Sequence, residues 1–339
     1  MIFDSSSALR RLASAFVLLL ALVVPAAAQV TIFSPFNIKE AMDADVRKHA
    51  NIAYADGERK KLDIYRPEDT SGGPAPVVMF IYGGAWRAGD RFEYEFVGRA
   101  LAANGFVAVI PDYRLWPEAK YPDFLDDNAQ AMKWIEDNIV GYGGDKNRFF
   151  LAGHSAGAYN SVMLALDSSF RQEFGITMPI RAVAGLSGPY NFYPFEYGEV
   201  RETFGDAPNP EGTQPVNLVT TETPPMFLAS GSNDPIVRRQ NTEVLAQRLR
   251  AQGIWVTEKY YEGFGHLEPV IAMGMMWRWR MPVLKDMVEF FQTFGAFPSG
   301  TPRPVFTPEP PQSPEDPMQA LIADLDATLD PISTERRNE

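Results

Sequence analysis

The sequence predicts an α/β fold with a mainly parallel central sheet and helices on both of its faces. The segment VVMFIY at 77–82 is a continuous apolar run, which is typical of a strand buried on both faces. Residues 123–139 instead repeat apolar side chains three and four positions apart, which predicts an amphipathic helix. Strand-like and helix-like segments alternate in this way along the chain. That order favours parallel strands joined by helical connections.

The remaining elements follow the same alternation. The segment KLDIYR at 61–66 alternates like a strand, and Gly105 is a typical end for a helix at 93–104. The other predicted strands are 106–110, 148–152, 182–186, 226–229 and 255–261, and the other predicted helices are 156–166 and 241–250. Together they place one domain at residues 61–296.

The two ends of the chain have unlike compositions. Residues 1–28 are predicted to be a signal peptide, because Arg10 and Arg11 precede an apolar run and small residues end at Ala28, where cleavage is expected. The run at 12–24 is shorter than the roughly 20 residues that span a bilayer. We therefore expect a periplasmic or secreted protein with no stable membrane span; an uncleaved anchor is the alternative. The Pro-rich, then acidic tail at 297–339 is predicted to be disordered.

Two segments interrupt the strand and helix pattern. Residues 29–60 form an N-terminal segment and candidate cap, with a short helix predicted from the spacing of four apolar residues: Phe36, Ile38, Met42 and Val46. Residues 189–224 are rich in aromatic residues, proline and glycine. This insertion is a candidate cap over the site, and a surface excursion packed on the domain is the alternative.

Composition excludes several classes of function. The formal net charge is −12, from 31 Lys and Arg against 43 Asp and Glu, so no basic excess exists to neutralise the phosphates of a nucleic acid. Cysteine is absent, which excludes disulfides, thiolate metal sites and a cysteine nucleophile. The oligomeric state stays open, with a homodimer as one candidate.

The segment GHSAG at 153–157 matches G-x-S-x-G, a pattern that places a serine on a sharp strand-to-helix turn. The pattern alone is weak evidence. Here an apolar strand segment, RFFLA, precedes it and a helical segment, AYNSVMLAL, follows it, as the turn requires. Ser155 is therefore the predicted nucleophile, and a glycine-rich turn without chemistry is the alternative.

A second glycine-rich turn, YGGAW at 82–86, directly follows the apolar strand at 77–82. Glycines there allow backbone N–H groups to converge on a developing oxyanion. We expect the donors to be Gly84 and Ala85, joined by Ala156 just after the serine.

The acid and the base are expected after the serine in the chain order Ser, Asp, His. Asp234 follows the strand at 226–229, and His266 follows the last strand. Only two other histidines exist: His154 within the turn, expected to point away from Ser155, and His49 before the sheet. A helix N-cap is the alternative role for Asp234. The fallback acids are Glu222 and Glu268.

These segments resemble the bacterial hormone-sensitive-lipase and feruloyl-esterase-like (BD-FAE) carboxylesterases of the α/β-hydrolase superfamily. The matching pieces are YGGAWRAGD at 82–90, PDYRL at 111–115, GGDKNRFFLAGHSAGAYNS at 143–161, GSNDPIV at 231–237 and GFGH at 263–266. The resemblance implies an α/β-hydrolase catalytic domain at 61–296, a Ser-His-Asp triad and no cofactor or metal. It also implies that Asp90, Asp112 and Arg114 brace loops around the site. One departure is Tyr82, where the family usually has histidine.

The substrate is constrained only by the aromatic residues near these motifs. Trp86, Tyr190 and Phe192 are candidate substrate-binding residues, and residues 271–281 offer methionines and tryptophans that either line an acyl pocket or form a helix on the sheet. An apolar pocket favours small-molecule esters with short to medium acyl or aromatic groups. The alternatives are an amidase or formamidase on the same triad and a non-catalytic binding module.

Overall fold

The computed structural model describes residues 45–295, except 70, 197 and 276. Eight strands form one sheet: β1 (Val46–Ala53), β2 (Lys61–Pro67), β3 (Ala75–Ile81), β4 (Val107–Pro111), β5 (Gly144–His154), β6 (Ile180–Leu186), β7 (Met226–Gly231) and β8 (Val256–Tyr261). Their order across the sheet is β1-β2-β4-β3-β5-β6-β7-β8. The pairs from β4 to β8 are parallel, whereas β2 is antiparallel to both of its neighbours. The predicted mainly parallel sheet is confirmed.

Eight helices connect or flank these strands: α1 (Glu95–Ala103), α2 (Asp123–Asn138), α3 (Ala156–Leu166), α4 (Ser168–Glu173), α5 (Gly198–Phe204), α6 (Gln240–Ala251), α7 (Glu268–Ile271) and α8 (Val283–Gly295). Single 3₁₀ turns occur at Ile139–Tyr142, Glu211–Thr213 and Pro215–Asn217. These counts refer to the described residues. Each strand and helix predicted between 61 and 261 is present, with ends that differ by a few residues.

Side chains that alternate along β5 show that helices cover both faces of the sheet. The ring of Phe150 lies 4.7 Å from that of Phe291 in α8, measured between centroids. Gly153 has the opposite parity and lies against the first turn of α3, where an added methyl group would come 2.3 Å from the carbonyl oxygen of Gly157. Because successive side chains of a strand point to opposite faces, α3 and α8 lie on opposite sides of the sheet.

The prediction for the N-terminal segment is wrong where the structure describes it. Val46 begins the edge strand β1 rather than ending a helix, and β1 pairs antiparallel with β2. Val46 and Ile52 are half-buried against the core, so this pairing buries apolar surface. It also gives hydrogen-bond partners to the backbone groups along one edge of β2. The domain therefore begins before residue 61. The signal peptide at 1–28, the rest of the predicted helix and the tail at 297–339 lie outside the described residues.

The region between β8 and α8 contains little regular structure. Helix α7 ends at Ile271, and residues 272–281 form bends and turns, with residue 276 outside the description. The helical alternative for 271–281 is therefore wrong. Across the described part of the chain, no helix is long and apolar enough to cross a membrane.

The contact between α1 and β2 leaves no room for a side chain at Gly98. A methyl group there would lie 2.3 Å from the buried Tyr65 ring. We expect Gly98→Ala to lower the free energy of unfolding by about 1–3 kcal/mol through overpacking, although alanine is the better helix former. Urea denaturation measures this change. Gly141→Ala is the matched control, because its methyl group meets no atom within 4 Å. Equal effects of the two substitutions would contradict the packing argument.

Candidate active site

Ser155 occupies a sharp turn between β5 and α3. Its backbone has φ 54° and ψ −122°, a conformation that residues other than glycine rarely adopt. Its N–H donates to the carbonyl oxygen of Leu186 in the adjacent strand β6, at 2.8 Å. Strain of this kind costs on the order of 1–3 kcal/mol and persists only where the surrounding structure imposes it. The turn presents the serine at the carboxyl end of the sheet.

The glycines of the GHSAG motif are required for space rather than for backbone conformation. A methyl group on Gly157 would lie 2.0 Å from the carbonyl oxygen of Ile81, at the end of β3. A methyl group on Gly83 would lie 2.9 Å from the β-carbon of Ser155. The loop after β3 and the serine turn are therefore in direct contact.

Ser155, His266 and Asp234 lie in one hydrogen-bonded line. Nε2 of His266 is 2.9 Å from Oγ of Ser155, and Nδ1 of His266 is 2.8 Å from Oδ2 of Asp234. Asp234 follows β7 and His266 follows β8, so the carboxyl ends of parallel strands bring them together. All three side chains are buried, although Ser155 retains 9% of its accessible surface. The sequence thus predicted which three residues meet.

Asp234 stabilises its own loop and also faces His266. Its Oδ1 accepts from the N–H groups of Ile236 and Val237, at 2.9 and 2.8 Å. The alternative role as a helix N-cap is wrong, because α6 begins only at Gln240. Its Oδ2 faces His266. Burial raises the pKa of Asp234, but the hydrogen bond and charge of His266 and the two backbone N–H groups bring the pKa below its ordinary value. The fallback acid Glu222 is exposed, and Glu268 lies in α7.

The loop after β3 has an unusual backbone. Gly84, Ala85 and Trp86 have φ values of 131°, 52° and 57°. The carbonyl oxygen of Gly84 accepts from the N–H groups of Arg87 and Ala88, at 2.9 Å each. Within the described residues, the N–H groups of Gly84, Ala85 and Ala156 donate to no backbone carbonyl. The sequence predicts these three N–H groups as oxyanion donors, and that role stays a prediction.

Hydrogen bonds between buried polar groups anchor this loop. The Tyr82 hydroxyl donates to Oδ1 of Asp112 at 3.1 Å and accepts from Nη2 of Arg59 at 2.7 Å. Arg59 also donates to the carbonyl oxygen of Gly89 at 2.7 Å, and Arg91 pairs with Asp112. Tyr82, which stands where the family usually has histidine, thus holds the loop through its hydroxyl group. The sequence identified Asp112 as a brace but gave no signal for Arg59 or Arg91.

The other two predicted braces act more locally. Arg114 pairs with Asp127 of α2, with Nη2 to Oδ1 at 2.9 Å, and so fixes the segment after β4 to that helix. Oδ1 of Asp90 accepts from the N–H of Phe92 at 2.7 Å and stabilises the turn where the loop ends.

Aromatic side chains pack beside the loop and join it to the insertion at 189–224. Trp86 is only 4% exposed, and its Nε1 donates to Oδ1 of Asn160 in α3 at 2.9 Å. The ring of Phe204, in α5, lies 4.8 Å from Trp86, and the ring of Phe192 lies 5.6 Å from Tyr159. Trp86 is therefore mainly an anchor for the loop. Phe192 is half-buried.

The prediction that Tyr190 contacts substrate is wrong. Its side chain has no exposed surface, because its ring lies against the backbone of β6 at Gly185 and against Gly188. Asn241 holds the segment in place, accepting from the N–H groups of Tyr190 and Asn191 at 2.8 Å each. The aromatic composition of the insertion could not distinguish buried rings from lining ones.

His154 makes a contact that the sequence did not predict. Its ring does not bond to Ser155, as expected, but Nε2 lies 3.0 Å from the carbonyl oxygen of His266. The two histidine rings are 5.0 Å apart, measured between centroids. Burial, reinforced by the proximity of His266, lowers the pKa of His154 to about 3. Among the residues described, no cluster of His, Asp or Glu has the arrangement of a metal site.

Comparison with known proteins gives one family and many related esterases. The BD-FAE family model matches residues 62–249. The chain is 29% identical over 240 residues to isoprenylcysteine alpha-carbonyl methylesterase of Arabidopsis thaliana, covering 64% of this chain and 56% of that protein. It is 32% identical over 220 residues to esterase LipC of Mycobacterium tuberculosis, covering 59% and 54%. The chain thus spans about half the length of these curated relatives.

Solved structures share the fold. A crystal structure of esterase B from Lactobacillus rhamnosis superposes with a TM-score of 0.67 at 19% identity, covering 77% of this chain and 92% of that one. A truncated carbohydrate esterase from gut microbiota gives a TM-score of 0.64 at 19% identity, covering 74% and 97%. These likenesses, with the mostly parallel eight-stranded sheet, confirm the predicted α/β-hydrolase fold.

The lowered pKa of His154 predicts how stability responds to acid. In the unfolded chain a histidine titrates near 6.5, so between about pH 6.5 and 3 the unfolded state binds a proton that the folded state refuses. As the pH falls through this window, we expect the unfolding free energy of the wild type to decrease by up to about 1.4 kcal/mol per pH unit more than that of His154→Gln. Urea denaturation at a series of pH values measures it. Parallel curves for the two proteins would show that His154 does not titrate on unfolding.

Proposed function

Since the chain belongs to the BD-FAE family, we propose that it hydrolyses carboxylic esters through an acyl-enzyme formed on Ser155. One observation carries the proposal: His266 lies 2.9 Å from Oγ of Ser155 and 2.8 Å from the carboxylate of Asp234. A serine, a base and an orienting acid in hydrogen-bonding order are the arrangement that nucleophilic catalysis needs. The activity named for the relatives, ester cleavage, agrees with this chemistry.

The first half of the reaction forms the acyl-enzyme. Oγ of Ser155 attacks the ester carbonyl carbon while its proton passes to Nε2 of His266. Asp234 keeps Nδ1 of His266 protonated and stabilises the imidazolium that forms. The tetrahedral intermediate then collapses, the bond to the alcohol oxygen breaks, and His266 returns the proton to the leaving alcohol. An Asp234 pKa below the ordinary value keeps this carboxylate ionised throughout.

The second half repeats these steps with water. His266 takes a proton from a water molecule, which attacks the acyl carbon, and Ser155 leaves with the proton back on Oγ. In both halves the negative oxygen is bound by the N–H groups of Gly84, Ala85 and Ala156. One such donor contributes about 2.7–4 kcal/mol to transition-state stabilisation. The amino terminus of α3, which begins at Ala156, adds a favourable dipole.

The aromatic residues beside Ser155 support short to medium acyl or aromatic esters as substrates. Phe192 packs 6.3 Å from Trp86 and 5.6 Å from Tyr159, measured between ring centroids, and stays half-buried. We propose that the insertion at 189–224 forms a partial cap and that Phe192 provides one wall of the acyl pocket. Each methylene group of the acyl chain that this wall covers makes substrate binding more favourable.

Replacing the nucleophile tests the reaction itself. We expect Ser155→Ala to lower the turnover of p-nitrophenyl butyrate by roughly 10⁴-fold or more, because no other group can form the acyl-enzyme. Ser168→Ala, which alters an exposed serine of α4, is the control and should stay at the wild-type rate. Circular dichroism melting checks that both variants fold. Retained turnover in Ser155→Ala would refute the assignment. Faster cleavage of the matched p-nitroanilide than of the ester would instead identify an amidase.

Truncating Phe192 tests the acyl pocket. Phe192→Ala should lower kcat/KM for p-nitrophenyl hexanoate about tenfold relative to p-nitrophenyl acetate, because only the longer acyl chain reaches the lost ring. Tyr193→Ala is the matched control, since Tyr193 is the next residue and is 45% exposed. The pocket assignment fails if the acetate and hexanoate values fall together, or if Tyr193→Ala has the same effect.

A further inference from the structure

His154 is buried between the two loops that carry the proposed chemistry. Only 1% of its surface is exposed, and it immediately precedes Ser155. Its Nε2 faces the carbonyl oxygen of His266 at 3.0 Å, and its Nδ1 faces the Tyr94 hydroxyl at 3.4 Å. Tyr94 in turn receives a backbone hydrogen bond from Gly83, in the loop after β3.

The partners of His154 determine which of its nitrogens carries the proton. A carbonyl oxygen can only accept, so Nε2 of His154 must donate to His266. Nδ1 is then unprotonated and accepts from the Tyr94 hydroxyl. The Tyr94 oxygen can accept from the N–H of Gly83 while its own hydrogen points to His154. The direction of every hydrogen bond from Gly83 to His266 is therefore consistent with a neutral His154.

We propose that His154 is a positioning residue, which ties the loop of His266 to the serine turn and to the loop that holds the oxyanion donors. This role rests on the proposed ester hydrolysis. The chain Gly83, Tyr94, His154 and His266 joins three segments that are far apart in sequence. Each contributes a group to the reaction, so a common anchor fixes their separations at once. A shift of about 1 Å between reacting groups can slow a reaction by roughly 10²-fold.

The loop of His266 needs such an anchor. It lies between β8 and the four-residue helix α7, where no strand pairing restrains it. One known restraint is the hydrogen bond from the N–H of Asn233 to the carbonyl oxygen of Phe264, at 3.0 Å. The bond from His154 reaches the backbone of His266 itself. It holds the backbone of this residue, whereas Asp234 bonds the ring at Nδ1.

The neutrality of His154 also suits the reaction. His266 becomes an imidazolium during each half of the reaction, and its ring lies 5.0 Å from that of His154. A second positive charge at this distance would destabilise the imidazolium. The charged or titratable groups that face His154 are His266, Asp234 and Tyr94, and the burial that these elements impose keeps His154 uncharged.

Two substitutions separate the bonds of His154. Glutamine places an amide N–H near the position of Nε2 and can still donate to His266, whereas asparagine retains an acceptor near Nδ1 but is too short to reach that carbonyl. We expect His154→Gln to keep kcat for p-nitrophenyl butyrate within about threefold of the wild type, and His154→Asn to lower kcat at least about tenfold with KM nearly unchanged. Labelling by a fluorophosphonate should slow in parallel. A purely structural role would lower both variants alike.

The outcomes distinguish this role from the proposed function. An inactive and unlabelled wild type would overturn the proposed ester hydrolysis, and this role with it. An active wild type with equal losses in the two variants overturns the role of His154 alone. Circular dichroism melting checks that each variant folds. If His154→Asn does not fold, His154→Leu decides: it also removes the donor to the carbonyl oxygen of His266, and the inference requires a kcat below that of His154→Gln at unchanged KM, so equal kcat values overturn it.

Discussion

The positive φ of Ser155 is the constraint around which the site is arranged. In this conformation the chain reverses its direction within one residue. The reversal brings α3 back against the ends of β3 and β5. Side chains at Gly83, Gly153 and Gly157 would occupy the space in which these segments meet. The positions of Ser155 and of the proposed oxyanion donors are therefore consequences of one backbone geometry.

Strain at the serine is compensated by rigidity elsewhere. The turn is held from β6 through Leu186, and the loop after β3 is held from below by Tyr82, Arg59 and Asp112. Arg91 and Asp112 are both nearly inaccessible to solvent. Removing either would leave the other with one fewer opposite charge in a buried site, which is destabilising. This buried polar layer restricts the loop more firmly than apolar packing alone would, because its hydrogen bonds are directional.

Local signals in the sequence predicted the sheet, most helices and the Ser155, Asp234 and His266 set. Apolar runs and glycine-rich turns are short-range features, and parallel strands bring their ends together. The sequence did not reveal the edge strand at Val46, whose pairing depends on β2, or the burial of Tyr190. It also missed the contact of His154 with His266. Each of these depends on how side chains from distant segments point once they pack, which periodicity does not encode.

The connection at 189–224 joins β6 to β7 but supplies none of the three residues that form the hydrogen-bonded line at Ser155. It contacts Trp86, in the loop after β3, through Phe192 and Phe204. This segment can therefore be lengthened or shortened without moving Ser155. Under the proposed function, a change confined to it alters which esters fit while the hydrogen-bonded line stays in place.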